Sequence, residues 1–228
     1  MDCGFGLAES KSRLARAGLE PSDLAAIVVT HEHDDHLGGV ARLAKRYAIP
    51  VHLTRGTAQW LPVDFPGALV RFVDPHAAFS VGDLSVEPFP VPHDAREPVQ
   101  FAFSDGVARL GVVTDLGMST PFVEEKLSGC DALVLECNHD LELLMKGPYP
   151  ASLKERIASR FGHLDNRAAG ELLARLDRSR LTHLVAAHLS KQNNHPALAI
   201  AALAAAMGCE DSWIGVATQE EGFAWRST

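Results

Sequence analysis

A single stretch, Thr30-His31-Glu32-His33-Asp34-Asp35-His36-Leu37-Gly38-Gly39, restricts this chain more than any other feature. It follows Ala25-Ala26-Ile27-Val28-Val29, a short apolar, β-branched segment that reads as a buried strand. It precedes Val40–Tyr47, where apolar residues recur at helical spacing. Three histidines and two aspartates therefore fall in a tight loop at the carboxyl end of a strand. Burying so many polar atoms together is costly unless something binds them, and a cation removes that cost.

The spacing is more specific still. On an extended or tightly turned backbone, side chains at i and i+2 point the same way. His31 and His33 can thus pinch one metal, while Asp35 and His36 face elsewhere and can hold a second. Imidazole suits zinc and other first-row ions; carboxylate suits harder ions such as manganese. The plainer alternative is a polar loop in which Asp34 or Asp35 caps a helix starting near Leu37. Three histidines plus an aspartate within six residues favour the metal.

The pattern His31-x-His33-x-Asp35-His36 after an apolar strand, followed by Leu37-Gly38-Gly39, resembles the signature of the metallo-β-lactamase superfamily. That resemblance implies a mixed α/β fold, a four-layer αββα sandwich with metals at one end of the two sheets. It also implies further ligands, found in chain order at the ends of later strands. Leu84–Val91 runs to Pro92-His93, and His93 is the expected third nitrogen ligand of the first metal, since zinc-type sites take three or four protein ligands. Val107–Val113 runs into Thr114-Asp115, and Asp115 is expected to bridge both ions, one oxygen to each. His183–Ala187 delivers His188, which completes the second set with Asp35, His36 and Asp115. Family members carry two strands ahead of an Asp-x-Gly like Asp2-Cys3-Gly4, so the usual first strands are expected to be lacking.

With 228 residues, 46% of them hydrophobic and 22% charged, the chain reads as one globular domain spanning 1–228. No apolar run approaches the roughly 18 residues of a membrane-crossing helix, and no secretory leader is evident. Cys3, Cys130, Cys137 and Cys209 lack C-x-x-C spacing and read as buried free thiols in a cytoplasmic protein. The net charge of −8 argues against a generally basic nucleic-acid surface. It does not exclude nucleic acid, because metal-holding carboxylates count as negative in such a sum.

Helices are expected over Ser10–Ala17, Val40–Tyr47, Gly56–Leu61, Leu153–Phe161, Asn166–Leu176 and Pro196–Met207. Strands are expected at Pro50–Thr54, Leu69–Val73 and Ala132–Glu136, with one or two edge strands between Ile214 and Trp225. Asp105-Gly106 signals a two-residue hairpin between Val99–Ser104 and Val107–Val113, and Ser119 is the expected cap of the helix at Pro121. His52, His183 and His195 read as structural, and His76, between Pro75 and Ala77, as a loop residue.

Three further stretches narrow the resemblance: Glu136-Cys137-Asn138-His139-Asp140, Gly162-His163-Leu164-Asp165-Asn166, and Ala187-His188-Leu189-Ser190 with Asn193-Asn194. With Gly147-Pro148-Tyr149-Pro150 they are similar to the YycJ/WalJ-like branch of DNA-processing exonucleases. The chain departs from that branch at Cys137, where a serine is expected. The resemblance implies hydrolysis assisted by two divalent ions (zinc or manganese, with iron as an alternative). His163 would be the general acid to the leaving oxygen, and Asp35 and Asp115 would fix the metals. His139 is expected to orient a ligand such as Asp115 or His188. The expected partner is nucleic acid, DNA before RNA. A small-molecule hydrolase acting on a cyclic phosphodiester or lactone-like ester is the alternative, and a metal-binding scaffold without turnover is a third class.

Overall fold

The β-branched run before the histidine loop forms β1 (Ile27–Val28) in the computed structural model, which describes residues 1–224. The chain divides into two units, Met1–Pro90 with Ala95–Val99 and Val91–Asp94 with the residues from Gln100 onward. Its strands fall into two sheets, the mixed α/β class expected. Trp225, the far end of the expected C-terminal edge segment, lies outside the described residues.

In the first unit α1 (Leu7–Arg16) precedes β1, and α2 (Asp34–Leu37) and α3 (Val40–Tyr47) follow it. Then come β2 (Val51–Leu53), α4 (Arg55–Ala58), β3 (Val70–Phe72), β4 (Phe79–Val81) and β5 (Leu84–Pro90). β1, β2 and β3 pair in parallel in that order, with Ile27 opposite Val51 and Val51 opposite Val70. The helix α3 lays Val40, Leu43 and Ala44 onto Ile27, Val29, Val51 and Leu53, all buried. This packing fixes the start of the histidine loop. The residues expected to be loop before Leu37 instead wind into α2, with His33 as its N-cap. The N-terminal strand-like segment lies beside them: Asp2 N–H donates to Val28 O and Gly39 N–H to Cys3 O, each at 2.8 Å. A Cβ on Gly39 would sit 1.9 Å from Phe5 O, so only glycine permits that approach.

The second unit holds β6 (Val99–Ser104) from Gln100 onward, β7 (Arg109–Val113), α5 (Pro121–Leu127) and β8 (Ala132–Glu136). It continues with α6 (Leu141–Lys146), α7 (Ala151–Ile157), α8 (Asn166–Arg175), β9 (His183–Ala187), α9 (Pro196–Met207) and β10 (Ile214–Val216). β7, β8, β9 and β10 are parallel neighbours, and their apolar residues read almost without interruption, as strands covered on both faces do. Register decides what happens at their ends. Val113 stands opposite Leu135, and Glu136 opposite Ala187. The residues that leave the sheet next, Asp115, Glu136 and His188, therefore emerge side by side at one carboxyl edge. Ligand sites in parallel sheets form at such edges.

Several local expectations need correction. The hairpin after β6 has a four-residue connection, because Asp105 Oδ1 accepts the N–H groups of both Val107 and Ala108 and holds them out of the strand. Thr120, not Ser119, caps α5 through the Val123 N–H; Ser119 bonds Glu124 instead. α7 begins at Ala151 and ends at Ile157, four residues short of Phe161. No helix among the described residues is long and apolar enough to cross a membrane.

Candidate metal centre

In the first unit a carboxylate collects the histidine loop. Asp2 accepts the Thr30 N–H at 2.8 Å and lies 3.1 Å from Thr30 Oγ1 and 3.0 Å from His36 Nδ1. A carboxylate only accepts, so the Thr30 hydroxyl donates to it. The same hydroxyl, 2.9 Å from His31 Nδ1, then accepts that ring's N–H. This puts the lone pair of His31 on Nε2, which faces His33 Nδ1 at 2.9 Å. His36 likewise donates through Nδ1, and its Nε2 stands 3.5 Å from Asp35 Oδ2. His31 and His36 are buried, and Asp35 is largely exposed.

The second unit repeats the device with Glu136, which is wholly buried at the end of β8. Its Oε1 accepts Asp115 N–H at 3.0 Å, His163 Nδ1–H at 2.9 Å and His188 Nδ1–H at 2.8 Å. Its Oε2 accepts Leu116 N–H at 2.9 Å and Leu164 N–H at 3.0 Å. Burial alone would raise the Glu136 carboxyl, but the hydrogen bonds and charge of His163 and His188 outweigh it and hold the group well below the usual carboxylate range. Asp115, Glu136, His163 and His188 bring ligand-type atoms within 4.8 Å of one another. With five donors on its two oxygens, Glu136 serves that group as holder rather than as ligand.

The Asp115 side chain divides its oxygens. Oδ1 stands 3.6 Å from His93 Nε2, and Oδ2 stands 3.7 Å from His188 Nε2. These separations exceed a hydrogen bond. They come near the ~3.3 Å expected between two ligand atoms on one tetrahedral cation with bonds of about 2.0–2.1 Å. His93 is buried and gives its Nδ1–H to Gly162 O at 3.1 Å, so its lone pair too is on Nε2. Burial lowers the His93 pKa, favouring the neutral ring a metal requires. The residues fit divalent cations: His31, His36, His93 and His188 each lock Nδ1 onto a protein acceptor and present Nε2, the arrangement that orients metal-ligating imidazoles.

His163 sits among these groups with its ring partly exposed, 3.5 Å from Asp115 Oδ1. Burial pulls its pKa down, and the Glu136 hydrogen bond and the charges of Glu136 and Asp115 more than compensate, raising it above the ordinary histidine value. His139 is buried; its Nδ1 lies 3.4 Å from Asn138 Oδ1, and Asn138 Nδ2 donates to His188 O at 3.0 Å. Asp2, Asp115 and His188 all adopt left-handed backbone, with φ of 54°, 54° and 58°. Outside the centre, His52 stacks on Phe79 at 4.8 Å and His195 caps α9.

Asp2 and Glu136 were not among the expected site residues. The visible signal was a charged residue closing the otherwise apolar strand Ala132-Leu133-Val134-Leu135, and an aspartate in an Asp-x-Gly turn.

Residues 1–188 match the family model described as beta-lactamase superfamily domain. The exodeoxyribonuclease YycJ of Bacillus anthracis is 36% identical over 205 residues, covering 87% of this chain and 76% of that protein. The exodeoxyribonuclease WalJ of Streptococcus pneumoniae is 32% identical over 225 residues, 95% of this chain and 82% of its own. Among solved structures, the metallo-β-lactamase fold protein YhfI from Bacillus subtilis superposes with a TM-score of 0.72 at 16% identity, over 99% of this chain and 85% of that one.

Proposed function

The chain belongs to the metallo-β-lactamase superfamily and is a metal-dependent hydrolase, and on that premise we propose that it is a binuclear phosphodiesterase removing nucleotides from an end of nucleic acid, DNA before RNA. We take residues 1–228 as one catalytic domain. The proposed ligands are His31, His33 and His93 for the first ion and Asp35, His36 and His188 for the second, with Asp115 shared. The observation that carries this reading is the Asp115 carboxylate, each of whose oxygens faces a different imidazole Nε2 at a separation suited to an intervening cation. Nitrogen-rich ligands favour zinc for the first ion, and mixed His/Asp ligands also accept manganese or iron.

Divalent ions bound there would supply Lewis-acid charge against the attacked phosphorus and hydroxide at neutral pH. The chain's own residues do the rest. Asp2 and Glu136 fix the tautomers of His36 and His188, and Thr30 fixes that of His31. Asp35 and Asp115 fix the ions. His163, held by Glu136 through Nδ1, carries its proton on Nε2 when cationic and delivers it to the departing alkoxide. The DNA preference is supported by the two exodeoxyribonuclease relatives. A cytoplasmic site of action is supported by four free cysteines.

The test pairs elemental analysis of protein purified without added metal with digestion of end-labelled duplex DNA, single-stranded DNA, RNA and a small chromogenic diester. Two ions per chain and mononucleotide release from DNA are expected. Hydrolysis of the diester alone would transfer the assignment to a small-molecule phosphodiesterase; an active protein holding no ions would end both.

A further inference from the structure

One ridge of the second unit is out of keeping with an acidic chain. From the last turn of α7 to the residue before His163 run Arg156-Ile157-Ala158-Ser159-Arg160-Phe161-Gly162. Arg156, Arg160 and Phe161 are exposed, Phe161 by half its surface, while Gly162 between them and His163 is buried. In a chain of net charge −8 this places the guanidinium of Arg160 and a half-exposed aromatic ring within three residues of the proposed acid, beside an Arg156 that is paired with Asp94.

The backbone of the ridge is held tightly although its side chains are not covered. At Gly117, two residues past Asp115, a Cβ would lie 2.4 Å from Arg160 O and 2.6 Å from Phe161 Cα, so the two segments touch backbone to backbone. Gly162 O accepts the His93 Nδ1–H, and His163 N–H returns to Ile157 O at 2.9 Å. Arg156 is pinned to Asp94, the neighbour of His93, at 2.5 Å. The ridge is thereby bonded to His93, runs directly into His163, and touches the chain at Gly117, two residues past Asp115. The Arg160 guanidinium lies 5.8 Å from the centroid of the Phe161 ring, over its face.

We infer that this ridge seats the strand next to the scissile phosphodiester, with one base stacked on Phe161 and a backbone phosphate on Arg160. The inference rests on the nuclease reading above and names the part of the substrate that reading leaves open. An aromatic face flanked by guanidinium charge is the combination that binds single-stranded nucleic acid without regard to sequence. A duplex keeps its bases stacked on one another, so the strand seated here is unpaired at that nucleotide. A small diester offers neither the base nor the second phosphate. The stacked base is equally available from DNA and RNA.

The test is fluorescence anisotropy of metal-loaded protein with labelled, phosphorothioate-linked decamers of single-stranded DNA and of RNA, which resist cleavage. Phe161→Ala is expected to weaken both about tenfold, within the range for losing one base stack, and Phe161→Trp to hold wild-type affinity. Arg160→Ala is expected to make the salt dependence shallower by about 0.7 in log–log slope, the share of one single-strand phosphate. Melting temperatures within a degree or two of wild type establish that the variants are folded. Affinities of Phe161→Ala and Arg160→Ala within twofold of wild type would overturn the inference, as would a wild-type protein that binds neither strand. A wild type that digests oligonucleotides while both variants bind normally removes the ridge and leaves the nuclease reading. A wild type that binds through the ridge yet cleaves no nucleic acid does the reverse.

Discussion

The two carboxylates Asp2 and Glu136 do the same work by different means. Asp2 comes from the short segment before the first helix and holds two groups, Thr30 and His36, through four contacts. Glu136 closes a central strand, is fully buried, and holds five donors from three segments of the chain. The first orients proposed ligands alone. The second orients the proposed ligand His188, the backbone that carries Asp115, and His163, which is no ligand in the proposed set. Ion retention and proton delivery are therefore joined at Glu136 and separate at Asp2.

The largest expected effect tests that separation. His163→Ala should lower kcat on DNA by two to four orders of magnitude, the usual contribution of a positioned general acid. Its ion content by elemental analysis should remain wild-type, whereas His31→Ala should lose an ion. Wild-type kcat in His163→Ala would show that this histidine is not the acid. Next, Glu136→Gln keeps the shape of the hub but removes its charge, and it should cost both properties together, about 10- to 100-fold in ion affinity and in rate. Chelator titration followed by kinetics reads both, and a loss confined to one would undo the contrast between the hubs.

Asp2→Asn should be milder, roughly tenfold in ion affinity, with kcat at saturating metal close to wild type. A kcat defect that added metal does not rescue would make the two carboxylates equivalent. Thr30→Val, which keeps the volume and removes the link from Asp2 to His31, should give the smallest change, about threefold in ion affinity, on the scale of one net hydrogen bond. Isothermal titration against zinc measures it, and an effect as large as that of Asp2→Asn would place the hub at the hydroxyl.

Much of this arrangement could be read before any coordinates. Val40–Tyr47, Ala132–Glu136, His183–Ala187 and Pro196–Met207 are found where expected, because each has a strong period or an unbroken apolar run bounded by clear breakers. The end of α7 was misplaced because its last turns carry only Ile157 on an apolar face before Ser159 and Gly162 break it. The short strand β4 was not anticipated, since Phe79-Ser80-Val81 is too brief to show alternation by itself. The proposed ligands His31 and His33 stand out in the sequence because their spacing is local. The role of Glu136 was not, because its partners lie 20 to 52 residues away in sequence and meet it only through the register of three parallel strands.

The positive φ values at Asp2, Asp115 and His188 bear on how this protein could be improved. Such backbone ordinarily costs a non-glycine residue about 1–2 kcal/mol, so a stabilisation campaign guided by conformational preference would nominate these three sites early for glycine. Each change would relax the chain and erase a working side chain in the same stroke. Thermal resilience is better sought elsewhere, on exposed helix surfaces, leaving the tension at these turns as the condition under which the enzyme operates.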